Sequence, residues 1–161
     1  MLGNPKVEEK VYDLPGNQDP EQVIAEILQM GPQKVQEQEA KIIGNYPNTY
    51  TFTKGLAERM LKKNHGSLPT VIVRPSIIQG CYLEPFAGWT DTIAASGFQM
   101  YMGLMGMMKF FHGKASTVLD VVPCDFVSNQ IIVQTVYTAM QGVKTFNVAH
   151  SCTSVENPIN L

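Results

Sequence analysis

Tyr50 and Lys54 have the residue types and the spacing that carbonyl reduction needs. On a helix, residues four apart project from the same face, one turn from each other. A lysine ammonium beside a phenol stabilises the phenolate, so the tyrosine can donate a proton to a carbonyl oxygen while hydride arrives on the carbon. The same ammonium can hold the ribose hydroxyls of a nicotinamide cofactor. The pair is therefore predicted to be both catalytic and cofactor-binding.

The surrounding sequence decides how much weight this pair carries, because tyrosine and lysine at this spacing also occur by chance on solvated helices. The pair opens a helical pattern at residues 49–64, and an apolar run at 70–73 follows. That run is typical of a parallel strand covered on both faces. Ligands of open α/β sheets bind at the carboxyl ends of strands, so Pro75, Ser76 and Ile77 are predicted to meet a cofactor. For Ser76, a cap at the strand end is an equally good interpretation.

Residues typical of turns and of helix caps predict the elements before and around the pair. Residues 1–20 are rich in Pro, Gly, Asn and charge, which indicates an extended surface segment. Asp19 followed by Pro20 predicts the start of an amphipathic helix that ends near Gly31. Residues 33–43 are charged and indicate a solvated helix or loop. The longer helix over 49–64 is expected to bury a stripe of Phe52, Leu56 and Met60.

One more helix and two more strands are predicted further along the chain. Residues 118–122 form a short apolar strand pattern, a helix opens at Cys124 and ends at Gly142, and 145–148 indicate another strand. This alternation predicts a doubly wound α/β sheet. Residues 79–114, between the strand patterns at 70–73 and 118–122, are aromatic and rich in Met. We interpret them as a substrate-covering insertion.

Composition excludes several other classes of protein. A chain of 161 residues with a net charge of −2 is one domain with no electrostatic reason to bind nucleic acid. Cys81, Cys124 and Cys152 lack the paired spacing of zinc ligands, so we expect free thiols and no metal site. The longest apolar run, residues 98–111, is shorter than the roughly 20 residues of a membrane span.

Four segments carry motifs: PNTYTFTKGLAE at 47–58, VRPSII at 73–78, EPFAGWTD at 84–91 and DVVPCDFV at 120–127. In this order and at this spacing they resemble the alcohol-forming fatty acyl-CoA reductases, the male-sterility group of the extended short-chain dehydrogenase/reductases. Several motifs in register are more specific than any one of them. Cys124 stands where this family usually has a small aliphatic residue.

The resemblance implies a fold and an activity. The chain would be the C-terminal half of a Rossmann-like doubly wound parallel sheet, truncated at both ends. It implies reduction of long-chain fatty acyl-CoA to a primary alcohol with NADPH, and it implies that Glu84, Trp89 and Asp91 bind the substrate. The family's glycine-rich pyrophosphate loop has no counterpart in residues 1–161. We therefore expect a partial NAD(P)-binding domain, inactive without an N-terminal half and a C-terminal domain.

Two rival interpretations remain. One is another extended reductase, such as a sugar-nucleotide epimerase or a hydroxysteroid dehydrogenase, and the EPFAGWTD segment argues against it. The other is a non-catalytic interaction module that keeps the fold, against which Tyr50 and Lys54 argue. An intracellular protein, associated with peroxisomal or endoplasmic-reticulum membranes through other regions, is implied by the resemblance alone.

Overall fold

The computed structural model describes residues 8–14, 16, 18–93, 95–110 and 120–152. Within these ranges, helices and strands alternate and both strand pairs are parallel. The predicted α/β class is confirmed, and the parallel strands agree with a partial Rossmann-like NAD-binding domain. The helices are α1 (Pro20–Met30), α2 (Pro32–Glu37), α3 (Glu39–Ile43), α4 (Thr49–Asn64), α5 (Ala95–Leu104) and α6 (Cys124–Met140). The strands are β1 (Thr70–Pro75), β2 (Ile77–Gln79), β3 (Val121–Pro123) and β4 (Phe146–Ser151).

The strands form two short parallel pairs. β1 pairs with β4 over its whole length, from Thr70 opposite Phe146 to Pro75 opposite Ser151. β2 pairs with β3, with Ile77 opposite Val121. The sequence pattern did not predict β2, because three residues are too few to establish a period of two. The predicted strand at 118–122 is confirmed from Val121 onward, while residues 118 and 119 lie outside the described residues.

The burial of β1 differs from the expectation. Residues 70–74 are half-buried and Pro75 is exposed, so the strand is not covered on both faces. Among the described residues β1 has one partner strand, β4, and α6 is the helix that packs against this pair. An all-apolar parallel strand becomes fully buried only when helices cover both faces of the sheet. The described part of the chain covers β1 incompletely.

Side-chain caps begin α1, as predicted from Asp19, and α4. The Asp19 carboxylate accepts hydrogen bonds from the backbone N–H groups of Glu21 and Gln22, at 2.9 and 3.4 Å, and α1 begins there. Asn48 Oδ1 accepts from the Thr51 N–H at 2.8 Å and begins α4. These bonds satisfy N–H groups that have no partner within the helix.

The hydrophobic core lies between α1, α4 and the chain before α1, residues 8–14 and 16, which we call the N-terminal segment. Leu14, Val23, Phe52 and Leu56 are its buried members. Burial of Leu14, of which 3% is exposed, corrects the expectation that all of residues 1–20 lie on the surface. The predicted stripe of α4 is confirmed at Phe52 and Leu56. Met60 is only half-buried, and Arg59 takes the buried position instead.

The predicted insertion contains a loop over residues 80–93 and the helix α5. This helix was not predicted, because its polar and apolar residues follow no amphipathic period. Residues 111–114 of the insertion lie outside the described residues. Among the helices of the described ranges, none is long and apolar enough to cross a membrane.

Candidate active site

Tyr50 and Lys54 lie in the first turns of α4 and face one pocket of about 580 Å³. The Lys54 ammonium nitrogen lies 5.6 Å from the centroid of the Tyr50 ring, and 67% of Tyr50 is exposed. The cap at Asn48 fixes the start of the helix and so sets the direction of both side chains. The structure thus brings the two residues together as their spacing predicts, while their catalytic role stays a prediction.

The N-terminal segment and α4 form most of the walls of this pocket. The segment contributes Tyr12, Asp13 and Leu14 on one side, and α4 contributes the residues around the pair. Sequence reasoning missed this wall, because residues 1–20 carry no periodic pattern. The lining residues are Tyr12, Asp13, Leu14, Gly16, Asn45, Tyr46, Tyr50, Thr51, Lys54, Gly55, Glu58 and Arg74.

Arg74, at the end of β1, attaches the N-terminal segment to α4. Its guanidinium makes a bidentate ion pair with Glu58, with nitrogen–oxygen distances of 2.7 and 2.6 Å. The same guanidinium donates to the backbone carbonyls of Lys10, at 2.9 Å, and Glu8, at 3.3 Å. Glu58 follows Lys54 by one helical turn, so this cluster lies beside the ammonium that faces the pocket. Bidentate pairing of this kind fixes orientation as well as position.

Arg59 makes a second attachment to this segment, at Tyr12. It is buried and donates from two guanidinium nitrogens to the backbone carbonyl of Tyr12. It also pairs with the Asp13 carboxylate at 3.0 Å. Together the two arginines hold the wall that faces Tyr50. The one sequence signal for Arg59 is its place three residues after Leu56, on the apolar stripe of α4.

Tyr46 closes the pocket against α4. A Cβ atom at Gly55 would lie 2.7 Å from the Tyr46 hydroxyl oxygen, so the ring reaches the helix only because this residue is glycine. The ring meets Phe52 edge-on, with centroids 5.6 Å apart. The hydroxyl is buried without a hydrogen-bond partner among the described residues, and burial raises the pKa of Tyr46.

The predicted cofactor loop begins immediately after Arg74. The Ser76 N–H donates to the Ser151 carbonyl at 2.8 Å, and the Ile77 N–H donates to the Asp120 carbonyl at 3.2 Å. The Ser76 hydroxyl is buried and has no hydrogen-bond partner in the described part of the chain, so it caps no strand end there. Pro75, Ser76 and Ile77 do not line the pocket around Tyr50, whereas Arg74 does.

Two polar groups among the predicted site residues suit a nicotinamide nucleotide. The Lys54 ammonium forms no ion pair with any residue that the structure describes, and it faces the pocket. The buried hydroxyl of Ser76 lacks a partner, although buried polar groups are nearly always hydrogen-bonded. An ammonium can bind ribose hydroxyls and a serine hydroxyl can bind a carboxamide. The residues present therefore fit the cofactor.

Glu84, Trp89 and Asp91 lie in the first part of the loop after β2, residues 80–91, which we call the 80–91 loop. They do not line the pocket around Tyr50. Glu84 and Asp91 are exposed, and 36% of Trp89 is exposed, so the tryptophan is not a core residue. The loop is closed by a hydrogen bond of 2.8 Å from the Cys81 N–H to the Trp89 carbonyl. The structure thus separates the predicted substrate residues from the catalytic pair.

Asp125, in the first turn of α6, is a buried acid that the sequence marked only as part of a motif. Its carboxylate accepts hydrogen bonds from the backbone N–H groups of Tyr82, Leu83 and Glu84, at 3.0, 2.8 and 3.2 Å. Burial by itself disfavours the charged form, but these donors outweigh it and lower the pKa of Asp125 to about 2. The acid therefore remains ionised at neutral pH.

Comparison with known proteins gives one family. Residues 3–131 match the model of an NAD-binding family described as male sterility protein. The chain is 34% identical to fatty acyl-CoA reductase 2 of Mus musculus over 155 residues, which is 96% of this chain and 30% of that protein. It is 33% identical to fatty acyl-CoA reductase 1 of Xenopus laevis over 156 residues, again 96% and 30%. The chain thus spans about a third of the length of these relatives.

Proposed function

We propose, from the premise that this chain belongs to the male sterility protein family, that the full-length protein reduces long-chain fatty acyl-CoA to the primary alcohol. The observation that carries the proposal is the placement of Tyr50 and Lys54 on one pocket, with the ammonium 5.6 Å from the ring centroid. The family is one of NAD-binding domains, so the cofactor is a nicotinamide dinucleotide. NADPH is our finer proposal, taken from the resemblance.

The overall reaction consumes one acyl-CoA, two NADPH and two protons, and it yields one alcohol, free CoA and two NADP⁺. When bound, the nicotinamide supplies the hydride that adds to the carbonyl carbon. Tyr50 donates its phenolic proton to the carbonyl oxygen as negative charge develops there. The first reduction gives a hemithioacetal, which loses the CoA thiol to leave an aldehyde. In the second reduction Tyr50 donates a proton again, and the alcohol forms.

Lys54 and the loop after β1 would orient the cofactor. The Lys54 ammonium forms no ion pair with a described side chain and lies over the Tyr50 ring, so it can bind both ribose hydroxyls and stabilise the phenolate of Tyr50. The unpartnered hydroxyl of Ser76 would bind the carboxamide. Pro75 and Ile77, the neighbours of Ser76 in the sequence, would contact the nicotinamide ring.

Glu84, Trp89 and Asp91 would lie on the acyl-CoA side of the site, together with the insertion at 79–114. Support for this assignment comes from their motif and from the fixed backbone of the loop that carries them. Association with peroxisomal or endoplasmic-reticulum membranes is a further proposal that rests on the resemblance, and cell fractionation with organelle markers tests it.

The test uses the full-length protein encoded by the reading frame that contains this chain. We expect purified protein to convert palmitoyl-CoA and NADPH to hexadecanol, with two NADPH oxidised for each alcohol formed. We also expect the same protein to reduce hexadecanal. Oxidation of NADPH without alcohol, or activity on a sugar nucleotide or steroid instead of acyl-CoA, would overturn the proposal.

A further inference from the structure

The backbone of the 80–91 loop is closed on itself. The Cys81 N–H donates to the Trp89 carbonyl at 2.8 Å, and the Gly88 N–H donates to the Cys81 carbonyl at 2.7 Å. A Cβ atom at Gly80 would lie 3.0 Å from the Gly88 carbonyl oxygen, so the two ends of the loop approach closely. The loop is therefore a defined structure and not an extended connection.

One side chain outside the loop holds it to α6. The Asp125 carboxylate receives three successive backbone N–H groups, those of Tyr82, Leu83 and Glu84. Hydrogen bonds to a charged acceptor are roughly twice as strong as neutral ones. The Tyr82 ring also meets Phe126 edge-on, with centroids 5.8 Å apart. A single carboxylate, 43 residues from Tyr82 along the chain, thus binds the backbone at the start of the loop.

The apolar side chains of the loop remain largely exposed. Tyr82, Leu83 and Phe86 are each at least 60% exposed, although their backbone is fixed. A loop with a rigid backbone and exposed apolar side chains is suited to contact an apolar ligand without first losing conformational freedom. The substrate of a fatty acyl-CoA reductase contains such a ligand, its acyl chain.

We propose that Asp125 is a positioning residue for the acyl chain of the substrate. Its carboxylate fixes the backbone of residues 82–84, and this places the apolar side chains of the loop against the chain. Asp125 itself touches neither the acyl chain nor the reacting atoms. This inference rests on the proposed function, and it extends that function to a residue outside the pocket around Tyr50.

The test is the variant Asp125→Asn in the full-length protein. An amide keeps the size of the side chain but turns an N–H group toward N–H donors. We expect the KM for palmitoyl-CoA to rise about 10- to 100-fold, as for a misplaced binding group. The KM for NADPH and for butyryl-CoA, whose short acyl chain offers little apolar surface to the loop, should stay within about twofold, and kcat within about threefold.

Asp19→Asn is the matched control. Asp19 also accepts two backbone N–H groups as the N-cap of α1, and its other carboxylate oxygen pairs with Lys63 on α4, away from the loop. The same chemical change should leave every KM unchanged. A rise in the KM for palmitoyl-CoA in both variants would mean that general destabilisation is the cause, and it would overturn the assignment.

Two further measurements keep the proposal testable if Asp125→Asn folds poorly. Leu83→Pro removes the N–H of the shortest of the three bonds and leaves Asp125 intact, so it should raise the same KM further than Leu83→Ala, which shortens the side chain but keeps the N–H. Amide hydrogen exchange should be faster at residues 82–84 in Asp125→Asn than in the wild type. An active wild type with an unchanged KM in the variants overturns this assignment alone. A wild type without acyl-CoA reduction overturns the proposed function and the assignment with it, even where hydrogen exchange confirms the anchor.

Discussion

Tyr50 is a residue whose exposure and surroundings fit a proton donor that meets its substrate from solvent. Two thirds of it is exposed, and it has Lys54 one turn away on the same pocket. Both residues were found from the sequence, because a spacing of four on a helix determines a shared face. The attachments by Arg59 and Arg74 could not be found that way, because the backbone carbonyls that they bind are 47 and 64 residues away.

Tyr50→Phe should abolish reduction in the full-length protein and leave its fold intact. The substitution removes only the phenolic proton, and loss of one positioned acid costs about 10²–10⁴ in rate. Turnover of palmitoyl-CoA measures the effect, and circular dichroism with NADPH titration measures the fold and cofactor affinity. Tyr137→Phe, on the exposed surface of α6, is the control. Activity within a few-fold of wild type would rule Tyr50 out as the donor.

Lys54→Met should weaken cofactor binding and turnover together, because one ammonium is assigned to both. We expect at least about a tenfold change in the KM for NADPH and a similar or larger loss of kcat. Lys62→Met changes another exposed lysine of α4 and should alter neither constant. If the KM for NADPH were unchanged and activity fell less than tenfold, Lys54 would be a surface residue.

Gly55→Ala should destabilise the protein through Tyr46. The new Cβ would lie 2.7 Å from the Tyr46 hydroxyl, and overpacking of this kind costs about 1–3 kcal/mol, against a gain of about 1 kcal/mol in helix propensity. Gly103→Ala in α5 meets no neighbouring atom and is the control. Adding Tyr46→Phe should recover part of the loss, and urea unfolding of the four members of this cycle measures the coupling. An additive result would contradict the contact.

At the scale of elements, the helix boundaries that could be predicted from the sequence are those marked by capping residues. Asp19 and Asn48 mark the first residues of α1 and α4, and Gly31 and Gly142 mark the ends of α1 and α6. By contrast β2 was missed. It is a strand because β3 lies beside it, and a pairing between segments that are distant in sequence leaves no local pattern. The half-buried state of β1 has the same cause, since burial depends on what covers the strand.

The contribution of Asp125 to the stability of the α6–loop contact should vary with pH in one direction. Its pKa is about 2 in the folded protein and 3.8 for the ordinary side chain, so the folded state binds this proton less readily than the unfolded state. The stabilisation is therefore complete above about pH 5 and is lost as the pH falls from about 4 to 2. Urea unfolding of wild type and Asp125→Asn across this range should show a difference in unfolding free energy that shrinks toward low pH. A difference that stays constant or grows on acidification would contradict the bonding described.

At the scale of the whole molecule, the described residues leave a large apolar surface on α6. Phe126, Ile132, Val133 and Met140 are each more than half exposed, and β1 has an edge without a partner strand in the described ranges. Surfaces of this size are usually covered by protein or by ligand. The fold class could be predicted from the order of elements. The protein or ligand that covers these surfaces could not.

The 161-residue chain alone should neither bind NADPH saturably at micromolar concentrations nor oxidise it with an acyl-CoA. Its sequence contains Tyr50 and Lys54, the proposed catalytic pair, but no glycine-rich loop to bind the pyrophosphate. Fluorescence titration with NADPH measures binding, and light scattering should detect self-association through the apolar surface. Tight binding would mean that the cofactor site lies elsewhere in these residues.

The attachment of the N-terminal segment has a consequence for how this wall of the pocket can vary during evolution. Arg59 and Arg74 bind the backbone carbonyls of Glu8, Lys10 and Tyr12, and every residue type supplies a carbonyl. Substitutions at these three positions therefore leave the attachment in place, so the segment can drift in sequence while the wall keeps its shape. Selection should fall instead on the two arginines and on Glu58, whose side chains have no substitute in the backbone.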